Sequence, residues 1–452
     1  MHSIRRPLRP FARIIQTLVG AFLFTDVSAA PVWADAMARM TAPKLQEVRE
    51  SIEKHKQSRE AVSLKTPFEE TKAILHCHSK WSHDSRSTIE EILKGAHANG
   101  VRVIMFTEHP ADHYDFIVDG HQGIREGVLL IPGAELKGML AYPLKSIKGM
   151  DFSSPQEQSD MIKRTGGLAF YCHLEERMDW QVAGIAGTEI YNVHADAKEE
   201  SRLFLGLVNP LFWLQLRPLV DKYPQEVFSA LQDYPKDYLR RYDELCQMFP
   251  HTGVAGNDSH HNIGIRIIRG EKDLILLEDI IGQKVAELSI GKLPFLAALA
   301  GKSKTGDVIL QVDLDPYERA FQHVTTHLLL DEFSREGVWR ALEAGRAFVG
   351  FDWITDTTGY VFQAETDKPI GVVGSKLPFT AGMKLRSFAP LEAKHRLIRN
   401  GQVFGEKTGR DVSFEIAEPG VYRAEVWVQV ADEERIWILT NPIYIKGDDT
   451  QP

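Results

Sequence analysis

The sequence predicts a parallel β/α unit followed by a smaller all-β unit. Between residues 73 and 255, short apolar runs alternate with helix-patterned segments, the rhythm of parallel strands joined by helices. After about residue 355 the pattern changes to alternating strands punctuated by turn residues, as a small β-sandwich requires. A chain of 452 residues also exceeds one ordinary core, so two domains are expected.

The N-terminus reads as a signal rather than as fold. Arg5, Arg6, Arg9 and Arg13 precede the mostly apolar run Ile14 to Phe24, and small residues follow at Ser28-Ala29-Ala30 and Val32-Trp33-Ala34. That order marks residues 1–34 as a secretory signal peptide and predicts export to the periplasm or beyond. No stable membrane span is expected once it is removed. Residues 35–69 read as a helical lead-in ending at Pro67, with Leu45, Val48 and Ile52 spaced for one face. Three cysteines, Cys77, Cys172 and Cys246, are too few for a disulfide framework.

Residues 70–350 form the expected catalytic unit. Ala73-Ile74-Leu75 begins a strand that runs into His76 and His78. Ser87 to His97 has helical spacing, with Ile89, Ile92, Leu93 and Ala96 on one face, Ser87 and Glu90 as a capping box and Gly100 as the stop. Further strands are read at 101–106, 129–131, 168–171, 190–193 and 254–255. The stretch 203–250 reads as a helical insertion. Its apolar part, Leu203 to Val220, is interrupted by Asn209, Pro210, Gln215, Arg217 and Pro218 and is too broken to span a membrane. It is either a packed helical pair or a wall over the site. Ser334 to Ala344 is a further helix stopped by Gly345. In the expected sandwich, 356–447, Arg399-Asn400-Gly401-Gln402 signals a tight hairpin.

Charge and motifs exclude several functions. The net charge is −9 and no basic run occurs after the signal, so a nucleic-acid polymer is not an expected partner. The chain has no P-loop, no dinucleotide glycine fingerprint and no Gly-x-Ser-x-Gly elbow, which argues against kinase, dehydrogenase and serine hydrolase chemistry.

Ligand-bearing residues gather instead at strand ends. They occur in His76-Cys77-His78 with Asp84, Thr107-Glu108-His109, Gly133-Ala134-Glu135, Tyr171-Cys172-His173 and Gly256-Asn257-Asp258-Ser259-His260. In parallel β/α architecture the C-terminal strand ends converge on one mouth. Alternation along a strand sends His76 and His78 to the same face, and Asp258 and His260 likewise. The same alternation turns Cys77 and Cys172 away as buried apolar groups. Imidazoles and carboxylates without thiolates suit Zn, Mn or Fe. Seventeen histidines occur, so single ones carry little weight. His97, His113, His251 and His261 read as surface or structural, and His83 and His194 as neighbours of the site or of the substrate.

Together these blocks resemble the PHP (polymerase and histidinol phosphatase) metal-dependent phosphoesterases. The resemblance spans about residues 70–262 plus the helix at 334–345, and implies a distorted seven-stranded β/α barrel of TIM-like type. It also implies two or three divalent ions at His76, His78, Asp84, His109, Glu135, His173, Asp258 and His260. Family logic places His76, His78 and Asp258 on one ion. Glu135 then bridges to a second ion held by His173, and Asp84, His109 and His260 hold a third. Two departures occur. Glu108 stands where the family usually has Asp, and no histidine lies between Glu135 and His173, where many members carry one. His194 is the candidate to complete the second position.

The implied reaction is hydrolysis of a small phosphomonoester or phosphodiester by a metal-activated hydroxide. His83 and Asp258 are the candidate catalytic residues, with His83 protonating the leaving oxygen. Lys80, Arg86 and Lys137 are candidate phosphate contacts. Two rival readings remain: an amidohydrolase-like enzyme cleaving a C–N or ester bond, and an exported binding protein with a degraded metal site.

Overall fold

Residues 36–62, 64, 66–199, 210–292, 297, 298 and 300–447 are described in the computed structural model of the chain. The segment 1–34, read as a signal peptide, lies outside them.

The lead-in folds as two helices, α1 (Ala36–Arg39) and α2 (Ala42–Ser58). Leu45 and Ile52 are buried and Val48 packs beside them, the face that the spacing predicts. β1 (Glu69–Ile74), α3 (Ile89–Asn99) and β2 (Val101–Met105) then form a β-α-β unit, with β1 and β2 parallel. The capping box of α3 sits one residue later than the sequence predicts. The Thr88 hydroxyl accepts from the Glu91 N–H, and the Glu91 carboxylate accepts from the Thr88 N–H. Gly100 ends the helix at φ 67°, a left-handed cap that glycine adopts without a Cβ clash.

Next come the short strands β3 (Gly123–Arg125), β4 (Val128–Ile131), β5 (Ala134–Leu136) and β6 (Met139–Tyr142). They lead to α4 (Pro155–Arg164), β7 (Leu168–Tyr171), β8 (Gly187–Asn192) and α5 (Val193–Glu199). The insertion supplies α6 (Pro210–Lys222), α7 (Pro224–Ser229) and α8 (Lys236–Met248), after which β9 (Thr252–Gly256) follows. Trp213, Leu216, Val220, Tyr223 and Val227 of the insertion are buried in one cluster with Met40 and Leu45.

β10 (Gly264–Arg269), β11 (Leu274–Glu278), β12 (Lys284–Ser289) and β13 (Val308–Asp313) make a four-stranded antiparallel sheet. The sequence reading did not anticipate it. One face of it joins the cluster of the insertion helices through Ile265, Ile267, Ile275 and Leu277. The chain returns through α9 (Tyr317–His323), β14 (Thr325–Leu330), α10 (Arg335–Ala344) and β15 (Ala347–Gly350). The caps of α10 are those the sequence predicts, Ser334 and Gly345. The remaining strands are β16 (Val361–Glu365), β17 (Pro369–Val372), β18 (Lys376–Pro378), β19 (Lys384–Arg399), β20 (Gln402–Glu415), β21 (Gly420–Val430), β22 (Glu433–Thr440) and β23 (Ile443–Lys446). Asn400 and Gly401 turn β19 into β20 with φ 50° and 78°, the positive values a two-residue hairpin needs.

The protein is therefore mixed α/β, but its regular ladders form no closed barrel among the described residues. One sheet holds β1, β2 and β4 in parallel, and a second holds β5 to β9, of which β7, β8 and β9 are parallel. The first sheet does not turn back on the second because β1 spends its other edge on antiparallel β14. From β14 the ladder continues through β15 to β22, so the C-terminal strands extend the same sheet. The two sheets meet at two isolated parallel bridges, Cys77 with Ser259 and Glu108 with Ala134. Cys77, Glu108 and Ser259 lie just beyond strand ends and Ala134 opens β5, all among the ligand-bearing segments.

Candidate metal centre

The two histidines after β1 are fully buried, and their Nε2 atoms lie 3.1 Å apart. What stands behind each ring decides what these atoms can do. His76 Nδ1 is 2.6 Å from Glu189 Oε1, and His78 Nδ1 is 2.9 Å from Ser82 Oγ. Ser82 has one proton and donates it to Glu108 Oε2, so its oxygen accepts from His78 Nδ1–H and from the His109 N–H. An ionised Glu189 can only accept, so His76 also carries its proton on Nδ1. In the neutral rings both Nε2 atoms are therefore lone pairs facing the same small space, the arrangement of metal ligands oriented by hydrogen bonds behind them.

The other predicted residues converge on that space in overlapping groups. His78, Asp84, His109 and His260 form one, and His76, Glu135, His173 and Asp258 a second. His194, Asp258 and His260 form a third. Within each group the ligand atoms all lie within 4.8 Å of one another. Glu135 stands between the first two, with Oε1 3.2 Å from His173 Nε2 and Oε2 3.5 to 3.7 Å from His76, His78 and His109. His173 Nε2 is also 3.3 Å from Asp258 Oδ2. His194 Nδ1 lies 2.6 Å from that same oxygen, and its ring stacks on His260.

The family logic puts His76, His78 and Asp258 on one ion, and their facing atoms lie 3.0 to 3.5 Å apart. His78 Nε2 falls within the Asp84–His109–His260 group as well. The two rings leave the strand side by side, 5.1 Å apart and tilted by 46°.

Unspent ligand atoms test whether cations fit here. Asp84 Oδ1 and His260 Nε2, 3.5 Å apart, are buried and have no hydrogen-bond partner among the described residues, and Asp258 Oδ1 faces His76 Nε2 at 3.0 Å, a lone pair in the neutral ring. Buried polar atoms are rarely left in that state. His260 Nδ1 donates to the Asp258 carbonyl at 2.8 Å, which leaves Nε2 as the ligating nitrogen. The donor set, imidazole nitrogens with carboxylate oxygens, suits Zn, Mn or Fe.

Charge is tightly coupled across the centre. For Asp258 and Glu135 burial opposes ionisation, yet the neighbouring histidines hold both carboxyls well below the ordinary range. Burial likewise disfavours protonating His76, but Asp258 and Glu189 outweigh it and raise its pKa well above the usual value. His78 goes the other way, pushed down by burial and by the charge of His260.

Two strand ends position ligands by unusual backbone. His173 and Asp258 both have φ 47°. Left-handed backbone at a residue with a Cβ costs about 1–3 kcal/mol and persists only where the surroundings fix it. Glu189 Oε2 accepts the His173 N–H at 2.8 Å, and that contact helps to fix the first of these turns.

The remaining predicted residues lie around the groups. His83 is exposed, its ring 4.8 Å from that of His109 and its Nε2 3.9 Å from Asp84 Oδ2. Lys80 and Arg86 are exposed on the loop that carries Asp84. Lys137 is engaged by Asp151 at 2.6 Å. No cysteine joins a ligand group among the described residues. Cys77 and Cys172 are buried as predicted, and burial raises both thiols well above their usual pKa. Cys172 Sγ nevertheless lies 3.6 Å from Glu135 Oε1, so it backs a ligand carboxylate rather than merely filling core. The sequence reading missed Glu189 and Ser82. A glutamate directly before Ile190-Tyr191, inside the strand Gly187–Asn192, was the available signal for the first.

Residues 75–273, just under half of the chain, match the sequence model of the PHP domain. They form a PHP domain. The resemblance read from the motifs thus holds over the segment that carries every residue of the three groups. No curated protein matches the chain. Among solved structures, the chain is similar to a two-domain protein from Bacteroides vulgatus ATCC 8482 described as containing a predicted PHP-like metal-dependent phosphoesterase. The two share 13% identity with a TM-score of 0.34, over 85% of this chain and 98% of that one.

Proposed function

We propose that this PHP-domain chain is a metal-dependent hydrolase of a small phosphomonoester or phosphodiester. The observation that carries the reading is the convergence of three ligand groups, the third joined to the first through His260 and to the second through Asp258, that hold unspent buried ligand atoms. Divalent ions held there supply Lewis acidity, neutralising phosphate oxygens and lowering the pKa of water. The chain's own residues do the rest. Asp258 and Glu135 join the groups, and the hydrogen bonds from Glu189 and Ser82 hold His76 and His78 with Nε2 facing inward. His83, exposed beside His109 and Asp84, can give a proton to the leaving oxygen. We read the two sheets as parts of one distorted barrel, because the bridges at Cys77–Ser259 and Glu108–Ala134 join them where the ligands gather. Export, argued from residues 1–34, belongs to the same proposal.

The test combines metal quantification with hydrolysis. Purified protein supplied with Mn should carry at least one equivalent of metal and hydrolyse p-nitrophenyl phosphate or its bis-ester. His78→Ala and Asp258→Ala should each lose metal and activity. If either variant keeps both in full, or if only amide substrates turn over, the reading is wrong.

A further inference from the structure

We infer that Glu189 makes the His76–Glu135–His173–Asp258 group the tightest metal position of this centre. The inference rests on the metal-centre reading above and adds an order of affinity to it.

Glu189 is fully buried on β8. Its hydrogen-bond partners are His76 Nδ1 at 2.6 Å, the His173 N–H at 2.8 Å and Asn192 Nδ2 at 2.9 Å. Its one ion-pair partner among the described residues is His76, with no lysine or arginine to neutralise it. Two of its three contacts thus go to members of a single ligand group. A carboxylate behind an imidazole fixes the tautomer, aims the ring and makes the far nitrogen a stronger donor.

The chain is shaped to admit this carboxylate. A Cβ on Gly256, the last residue of β9, would stand 2.3 Å from Glu189 Oε1 and 2.8 Å from Asn192 Nδ2. Glycine there leaves room for the buried acid, two residues before Asp258.

The neighbouring His78 group is built differently. Behind His78 stands the Ser82 hydroxyl, with Glu108 one hydrogen bond further back. That group holds one carboxylate of its own, Asp84, with Glu135 Oε2 at 3.7 Å from His78 and His109, whereas the His76 group holds both Glu135 and Asp258. In the His78 group the side chains of His78, Asp84, His109 and His260 are 0%, 16%, 24% and 4% exposed, against 0%, 15%, 12% and 2% for His76, Glu135, His173 and Asp258, so the His76 group is the somewhat drier one. More negative charge in a drier place attracts a cation more strongly. The His76 group should therefore fill first and empty last.

The experiment is stepwise chelation of Zn-loaded full-length protein, with metal counted by mass spectrometry at each chelator strength. Wild type should lose zinc in at least two stages. Glu189→Gln should weaken the last-leaving equivalent by about ten- to hundredfold and leave the earlier stage in place. Ser82→Ala should do the reverse and weaken only an earlier stage. Glu189→Asp keeps the charge but withdraws it from Nδ1, and should fall between wild type and Glu189→Gln; it carries the test if Glu189→Gln does not fold. An unchanged last equivalent in Glu189→Gln or Glu189→Asp, or equal weakening of all stages, overturns the inference. Wild type that binds no zinc overturns the metal-centre reading itself.

Discussion

His194 Nδ1 lies 2.6 Å from Asp258 Oδ2, although the two residues belong to different strand ends. His194 is in the first turn of α5, directly after β8, and Asp258 follows β9. The contact makes Asp258 a member of two groups, joined to His76 and His173 on one side and to His194 and His260 on the other. His194→Ala should therefore remove up to one equivalent of metal and spare the His76 group. Asp258→Ala should remove more. Metal counting on the two variants side by side checks the order, and equal losses would contradict it.

Glu108 stands where the family resemblance implies Asp, and its carboxylate is fully engaged. Its carboxylate accepts from the Ser79 N–H at 3.0 Å, from the Ser79 hydroxyl at 2.5 Å and from the Ser82 hydroxyl at 2.7 Å. Burial pushes its pKa up despite these donors. Glu108→Ala would leave buried donors unpaired, at a cost of about 1–3 kcal/mol. It should also free Ser82 to turn away from His78. The expected outcome is a lower urea midpoint together with weaker metal retention. A loss of stability with metal content unchanged would remove Ser82 from the chain of contacts that aims His78.

How much of this was legible in the sequence depends on which residues are asked. Ligand residues announced themselves because chemistry restricts them to His, Asp and Glu, and strand ends place them. The supporting shell did not. Ser82 is one of many loop serines, and only the fold brings it against His78. The pairing of β1 with β14 crosses some 250 residues, and no local pattern encodes it. The sheet of β10 to β13 could have been read. Ile265 and Ile267, then Ile275 and Leu277, alternate as a half-buried hairpin demands, and all four are buried.

His327 belongs to none of the ligand groups and should make stability depend on pH in the alkaline range. Its ring is buried between Glu70, 2.6 Å from Nδ1, and Asp352, 3.3 Å from Nε2. Burial disfavours the imidazolium, but the Asp352 and Glu70 carboxylates prevail and raise its pKa from 6.5 to about 9. The folded state thus holds this proton more tightly than the unfolded chain does. The stabilisation is fully present below about pH 6.5 and is lost as pH rises through about 9. Its size is on the order of 3 kcal/mol. Denaturant unfolding should show stability falling from pH 7 to 9, with a flatter profile in His327→Gln. Parallel profiles would assign the slope to other groups.

The C-terminal strands should prove inseparable from the PHP domain, and Asn441 is the reason to expect it. Its side-chain carbonyl accepts from the Gly253 N–H at 2.6 Å and from the Tyr242 hydroxyl at 2.5 Å. Its amide donates to Gly253 O at 3.1 Å and Ala347 O at 2.9 Å. One buried residue thereby ties the C-terminal unit to β9, to β15 and to α8. β22 adds ladder pairs to β15 along Phe348–Thr440 and Val349–Leu439, and Arg423 clasps Asp243 of α8 through two hydrogen bonds at 2.6 and 2.8 Å. Removing residues 356–452 would bare that edge of β15 together with the apolar surface beneath it. The expected product of the truncation is insoluble protein, not a smaller active enzyme. Asn441→Ala tests the same link more gently. Its unmet partners cost about 1–3 kcal/mol each, so the thermal midpoint should drop by several degrees. Because β9 leads straight to Asp258 and His260, metal retention should fall with it. A soluble, metal-binding truncation would show instead that the C-terminal unit merely rests on the domain.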